Sequence, residues 1–96
     1  MDAINFESII VGAVAAGFTA AIIGVATLPL QAYLSVEDAG AAGMRYRVDG
    51  TDPTAAEGHL LYDGDDLTVA GRADLERFRA IRAGAGNVTI RVTYFA

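Results

Sequence analysis

His59, Ser8 and Ser35 are the side chains through which this chain would do covalent chemistry, and they are few. Nucleophilic catalysis joins a nucleophile to a base and an orienting acid. His59 is the sole histidine, and Ser8 and Ser35 are the only serines. A Ser35–His59–Asp arrangement is geometrically conceivable, but Ser35 falls on the polar side of an alternating segment with no elbow motif around it. His59 reads instead as a turn or interface residue. The acidic clusters Asp49/Asp52 and Asp63/Asp65/Asp66 raise calcium, which takes several carboxylate oxygens. They lack EF-hand spacing and a terminal Glu, and Asp beside Gly is ordinary turn chemistry. Gly84-Ala-Gly86 has neither the strand–helix context nor the Lys of a phosphate loop. No cofactor and no metal are expected, and the chain reads as a non-enzyme.

Composition narrows the partners. The 96 residues suit one small domain. Cysteine is absent, which removes disulfides and thiolate metal sites. A net charge of −5 speaks against nucleic acid, whose affinity comes mostly from Lys and Arg. All seven basic residues are Arg, the better residue for fixed or half-buried ion pairs, although codon bias in a GC-rich genome gives the same usage. With no Trp and with Tyr33, Tyr46, Tyr62 and Tyr94 scattered, glycan binding is a minor option.

The elements that must position these residues are read from periodicity. Between Glu7 and Glu37 the chain carries no charge, which passes a hydropathy test for a membrane helix. Ala content, Gly12, Gly17, Gly24, Pro29 and recurring polar residues (Thr19, Thr27, Gln31, Ser35) argue against one. So does the segment from Leu30 to Glu37, where Leu30, Ala32, Leu34 and Val36 alternate with Gln31, Tyr33, Ser35 and Glu37. That is the period of a half-buried strand. The stretch divides into strands near Ile9 to Ala15, Phe18 to Ile23 and Leu30 to Glu37, with a short helix in the Ala-rich part as an alternative. A signal peptide fits poorly, because Asp2 and Glu7 precede the run and no basic residue does.

The most informative stretch is Met44 to Gly71. Met44, Tyr46 and Val48 alternate with Arg45, Arg47 and Asp49, and Asp49-Gly-Thr-Asp-Pro-Thr54 then breaks the strand. His59 to Tyr62 is a short apolar run, and Asp63-Gly-Asp-Asp66 reads as a hairpin-type turn before Leu67 and Val69. Asp74 or Ala73 opens at most one helical turn, and a strand is preferred from Phe78 to Arg82. The last strand has Val88, Ile90, Val92 and Tyr94 on one side and Thr89, Arg91 and Thr93 on the other. It runs to Phe95-Ala96, so no C-terminal tail is expected. Seven or eight short strands predict an all-β chain: a single β-sandwich or jelly-roll-like domain over residues 9–96, preceded by an N-terminal arm over residues 1–8.

The turn Tyr46-Arg-Val-Asp-Gly-Thr-Asp-Pro-Thr54 resembles the Y-x-x-D-G-T/S-x-P-T signature of chitobiase C-terminal-like β-sandwich modules. Those are accessory domains, and the resemblance implies fold alone. A broader series resembles small proteins encoded among tailed-phage structural genes: Gly17-Phe-Thr-Ala, Val36-Glu, the Arg45 to Thr54 turn, Gly58-His-Leu-Leu, Gly64-Asp, Phe78-Arg-Ala-Ile-Arg and Val92-Thr-Tyr-Phe. This likeness spans nearly the whole chain. It implies a virion component, either a decoration (cement) protein or a head–tail junction or fibre-base adaptor, with the major capsid protein or neighbouring virion proteins as partners.

Binding is then the expected function, with 53% apolar residues leaving apolar surface over. The arm would drape over a neighbour and the chain would form a homo-oligomer. The candidate interface residues are Ile4, Phe6, Ile9, Phe18, Arg45, Arg47, Arg79 and Arg82, the arginines pairing with acidic surfaces or forming a solvated strand face. A single-pass membrane protein with a β-rich tail is the rival reading.

Overall fold

The alternation legible in the chain becomes two antiparallel sheets in the computed structural model, which describes residues 1–24 and 29–96. Strand β1 covers Ala3–Val11, β2 Gln31–Glu37, β3 Met44–Arg47, β4 His59–Leu61, β5 Asp66–Ala70, β6 Arg79–Arg82 and β7 Val88–Phe95; the short helices are α1, Ala20–Ile23, and α2, Arg72–Arg77. The larger sheet has the order β1-β7-β2-β5 and the smaller β4-β3-β6. Among the described residues there are thus seven strands, and the β-sandwich predicted from periodicity is the observed fold.

Each long strand turns one set of side chains inward. Ala32, Leu34 and Val36 of β2 and Val88, Ile90, Val92 and Tyr94 of β7 are buried, while Tyr33, Glu37 and Arg91 on the opposite face are exposed. Aromatics join the two layers. Phe18 stacks on Phe78 at 4.3 Å and meets Tyr94 edge-on at 5.7 Å, and Tyr46 lies 6.0 Å from Phe78. Burying each such side chain stabilises the fold by about 1.5–3 kcal/mol.

Four expectations are corrected. Residues 1–8 are not a free arm: Ala3–Val11 is a strand on β7, and Asp2 exchanges backbone bonds with Ala96 at 2.8 and 2.9 Å. The polar look of Asp2 and Glu7 concealed it, because Glu7 points inward, where the Tyr94 hydroxyl and Thr19 meet its carboxylate. The strand expected near Phe18 to Ile23 is instead one helical turn from Ala20, where two alanines favour helix. The strand expected near Ile9 to Ala15 ends at Val11, where it completes β1, while the strand preferred from Phe78 to Arg82 is present as β6, after the short helix α2 that buries Leu75. The turn after β4 is no hairpin, because β4 and β5 belong to different sheets. Asp65 N donates to Tyr62 O at 2.9 Å, and Gly64 takes the positive φ of 86° that the turn requires. The turn docks on β2 through Gly64 N to Val36 O, 2.8 Å.

Part of the uncharged run, residues 25–28, lies outside the described residues. Among the described residues no helix is long and apolar enough to cross a membrane.

Candidate interaction surface

Every sheet edge offers unpaired backbone donors and acceptors, and proteins blunt such edges by shortening, charging or covering them. Among the described residues, three of the four edges are blunted. On β6, Ala16 and Ala80 exchange bonds at 2.9 and 2.8 Å, and Arg82 N donates to Gly12 O at 3.0 Å. β4 is only three residues long. β5 is five residues, begins on an aspartate and runs into α2. The fourth edge is β1, nine residues of Ala-Ile-Asn-Phe-Glu-Ser-Ile-Ile-Val with neither Lys nor Pro.

The ladder fixes which residues of β1 face outward. Val36 N bonds Asp65 O at 2.9 Å, so the even residues of β2 bond β5 and the odd ones bond β7. By their register, the odd residues of β7 bond β2 and the even ones bond β1. Asn5, Glu7, Ile9 and Val11, opposite Tyr94, Val92, Ile90 and Val88, therefore bond within the sheet. Phe6, Ser8 and Ile10 direct their N–H and C=O groups to the open side. Consistently, the Phe6 amide donates to its neighbour's Asn5 Oδ1 at 2.8 Å. Towards the N-terminus a register shift between Ala3 and Asn5 ends the regular ladder.

Two of these residues, together with Ile4 at the register shift, carry apolar side chains into solvent. Ile4, Phe6 and Ile10 are 45%, 58% and 60% exposed. Beside them on the outer face, Arg91 donates to Ser8 Oγ at 2.7 Å and to Glu37 Oε2 at 3.1 and 3.2 Å. Tyr33 donates to Asp66 Oδ2 at 2.9 Å, and the adjacent carboxylate raises the tyrosine's pKa. The outer face thus has a polar centre, crosslinked by side chains, and an apolar margin along β1.

The sequence-derived candidates divide. Ile4 and Phe6 lie on this margin, whereas Ile9 is half-buried on the inner face and Phe18 is buried against Phe78. The four arginines are half-buried and turned to their own chain. Arg45 clamps the long β3–β4 loop through Ala55 O at 3.0 Å and Gly58 O at 2.8 Å. Arg47 pairs with Asp49, Nε to Oδ1 at 3.0 Å. Arg79 donates to the Glu76 and Phe78 carbonyls, and Arg82 to Asn87 Oδ1 at 2.8 Å. Two residues escaped the sequence reading. Ile10 was hidden by assigning residues 1–8 and 9–15 to different elements, although the even positions Ile4, Phe6, Ser8 and Ile10 form an uncharged period-two series. Arg72 gave no signal: it reaches the carbonyls of Ile23 and Pro29, far along the chain.

The residues weighed for chemistry are dispersed. Ser35 is on the outer face of β2, while His59 is on β4 in the other sheet, tilted against Tyr46 at 5.3 Å. His59 borders an open cleft with Arg47, Val48, Asp49, Glu57 and Gly58. There the Arg47 guanidinium holds the Asp49 carboxyl down at about 2. The acidic turns are spent on structure: Asp49 accepts from Thr51 N at 3.3 Å and Asp65 from Tyr62 N at 2.7 Å. Among the described residues no three His, Cys, Asp or Glu side chains stand together as a metal site.

The chain matches no protein-family model, no curated protein and no solved structure.

Proposed function

We propose that this protein is a non-enzymatic structural subunit whose work is binding, and that it serves in a phage particle, holding the capsid surface or neighbouring subunits in a decoration role. The observation that carries the binding reading is the β1 margin: a long open edge flanked by exposed Ile4, Phe6 and Ile10. Isolated exposed apolar residues are commonplace, whereas several along one sheet edge, here interrupted by Ser8, beside backbone groups that no strand pairs, are what protein partners cover. Dispersal of Ser35 and His59 to different sheets supports a function without covalent chemistry. The particle assignment draws on the motif series that resembles tailed-phage structural proteins.

The test is direct. Particles of the phage encoding this chain are purified and their proteins quantified by mass spectrometry, and shells lacking the chain are sedimented with added protein. The chain is expected in the particle in a fixed ratio to capsid subunits and in the pellet with the shells. Absence from the particle together with no co-sedimentation would end the decoration role.

A further inference from the structure

We infer that the β1 edge is self-complementary and joins two copies of this chain, β1 pairing antiparallel with β1 of the second copy across a two-fold axis at Ser8. The inference rests on the binding reading for its surface but is independent of the particle to which the chain belongs. The joined sheet would have eight strands, β5-β2-β7-β1 followed by the same four in reverse.

The register follows from the residues. A two-fold axis at residue n places residues n−k and n+k opposite each other, so only a few registers use Asn5–Val11. With the axis at Ser8, the outward groups of Phe6, Ser8 and Ile10 of one copy face those of Ile10, Ser8 and Phe6 of the other. Six backbone bonds form, two for each opposed pair. The side chains agree, since Phe6 and Ile10 lie on the same outer face and an aromatic opposite a β-branched residue is a favourable cross-strand pair. The small Ser8 occupies the axis, where a bulky residue would meet itself.

The neighbouring registers are worse. An axis at Glu7 would oppose two carboxylates, and like charges directly opposite are destabilising. An axis at Phe6 would run the ladder into the irregular segment between Ala3 and Asn5. An axis at Ile9 would set Phe6 against Gly12, beyond the end of the strand. Charge favours a second copy in the Ser8 register: the only ionisable side chain of β1 is Glu7, which is turned inward to Tyr94 and Thr19. No carboxylate of β1 then opposes another, and the Arg91 that bonds each Ser8 Oγ is paired with Glu37 of its own chain. Pairing through identical surfaces is the usual geometry of a closed dimer. On joining, the Phe6 amide exchanges its bond to Asn5 Oδ1 for one to the partner strand.

Sedimentation of the purified chain and disulfide trapping test this, the latter unambiguous because the sequence has no cysteine of its own. At about 100 micromolar, where mass action favours association, the 10.0 kDa chain is expected at twice its mass. Ile10→Lys and Phe6→Lys, which put charge on the edge, are each expected to return it to a single mass. Ser8→Cys under mild oxidation is expected to form a covalent dimer. Phe6→Cys and Ile10→Cys are expected to do so only when mixed with each other, while Thr68→Cys on the far strand β5 does not. A chain of single mass at all concentrations would overturn the inference, as would a dimer that Ser8→Cys cannot trap. A trapped dimer that fails to bind shells would leave this inference standing and remove the decoration role.

Discussion

The two sheets solve the same problem in opposite ways. The four-stranded sheet is built mainly from the long alternating strands β1, β2 and β7, with a polar outer centre tied by Arg91 and, among the described residues, one edge left open. The three-stranded sheet has strands of three or four residues, and its surroundings are closed by arginines bonded to carbonyls and by residues 12–16 along β6. Short strands need local clamps because they have little ladder of their own. A long strand such as β1 is held by its register and can leave a whole side free. The contrast shows arginines, the chain's most conspicuous surface chemistry, bonded within their own chain at Arg45, Arg47, Arg72, Arg79, Arg82 and Arg91, which leaves the charge-poor β1 as the edge we propose for association.

Substitutions can break or sharpen that contrast. The largest effect is expected where the sheets meet: Phe78→Ala, removing the ring that packs against Phe18 and Tyr46, should cost about 3–5 kcal/mol in urea unfolding. A loss under about 1 kcal/mol would mean that the sheets are not joined there. Next, Tyr94→Phe removes the hydroxyl that donates to Glu7 and fastens β1, a bond to a charged group worth about 1.5–3 kcal/mol. Burial and the Glu7 carboxylate push the Tyr94 pKa up from 10.0. As the folded pKa is raised, the contribution is complete below pH 10 and fades above it. The wild type should therefore lose stability in alkali more steeply than Tyr94→Phe.

In the smaller sheet, Gly58 has φ +133°, and a Cβ there would lie 3.1 Å from Pro53 Cβ and from Tyr46 O. Gly58→Ala should cost about 1–3 kcal/mol while leaving the sedimentation mass at a given folded concentration unchanged; a changed mass would place the β3–β4 loop in the interface. The smallest effect belongs to Asp49, whose carboxyl falls from 3.8 to about 2 beside Arg47. A depressed folded pKa means that its contribution is present above pH 3.8 and lost as pH falls towards 2. Asp49→Asn should flatten that acid limb slightly in unfolding monitored against pH. Acid thus acts on the loop of one sheet and alkali on the tie of the other.

Periodicity made much of this legible. Strands expected at Leu30 to Glu37, Met44 to Val48, His59 to Tyr62 and Val88 to Tyr94 lie within a residue or so of β2, β3, β4 and β7. Each alternates over its own length, which is local information. The start of β1 was not legible, because Glu7 looks like a polar arm until Tyr94, distant in sequence, is placed beside it. Nor was the parting of β4 from β5, since a tight Gly64 turn joins paired strands and strands of separate sheets equally well. The candidate site was half visible: Ile4 and Phe6 were expected on a surface, while Ile10 depends on knowing that one strand carries all three. Phe18 and the arginines were misleading for one reason. Type and spacing show an aromatic ring or a guanidinium, but only tertiary contacts show that its partners are within the chain.

The central claim, that β1 is where this protein associates, is tested most directly by residue-resolved amide hydrogen exchange across a dilution series. The outward amides of Ser8 and Ile10 should be protected at high concentration and exchange rapidly when dilute, while those of Glu7 and Ile9, bonded to β7, stay protected throughout. Rapid exchange at Ser8 and Ile10 at every concentration would contradict the account.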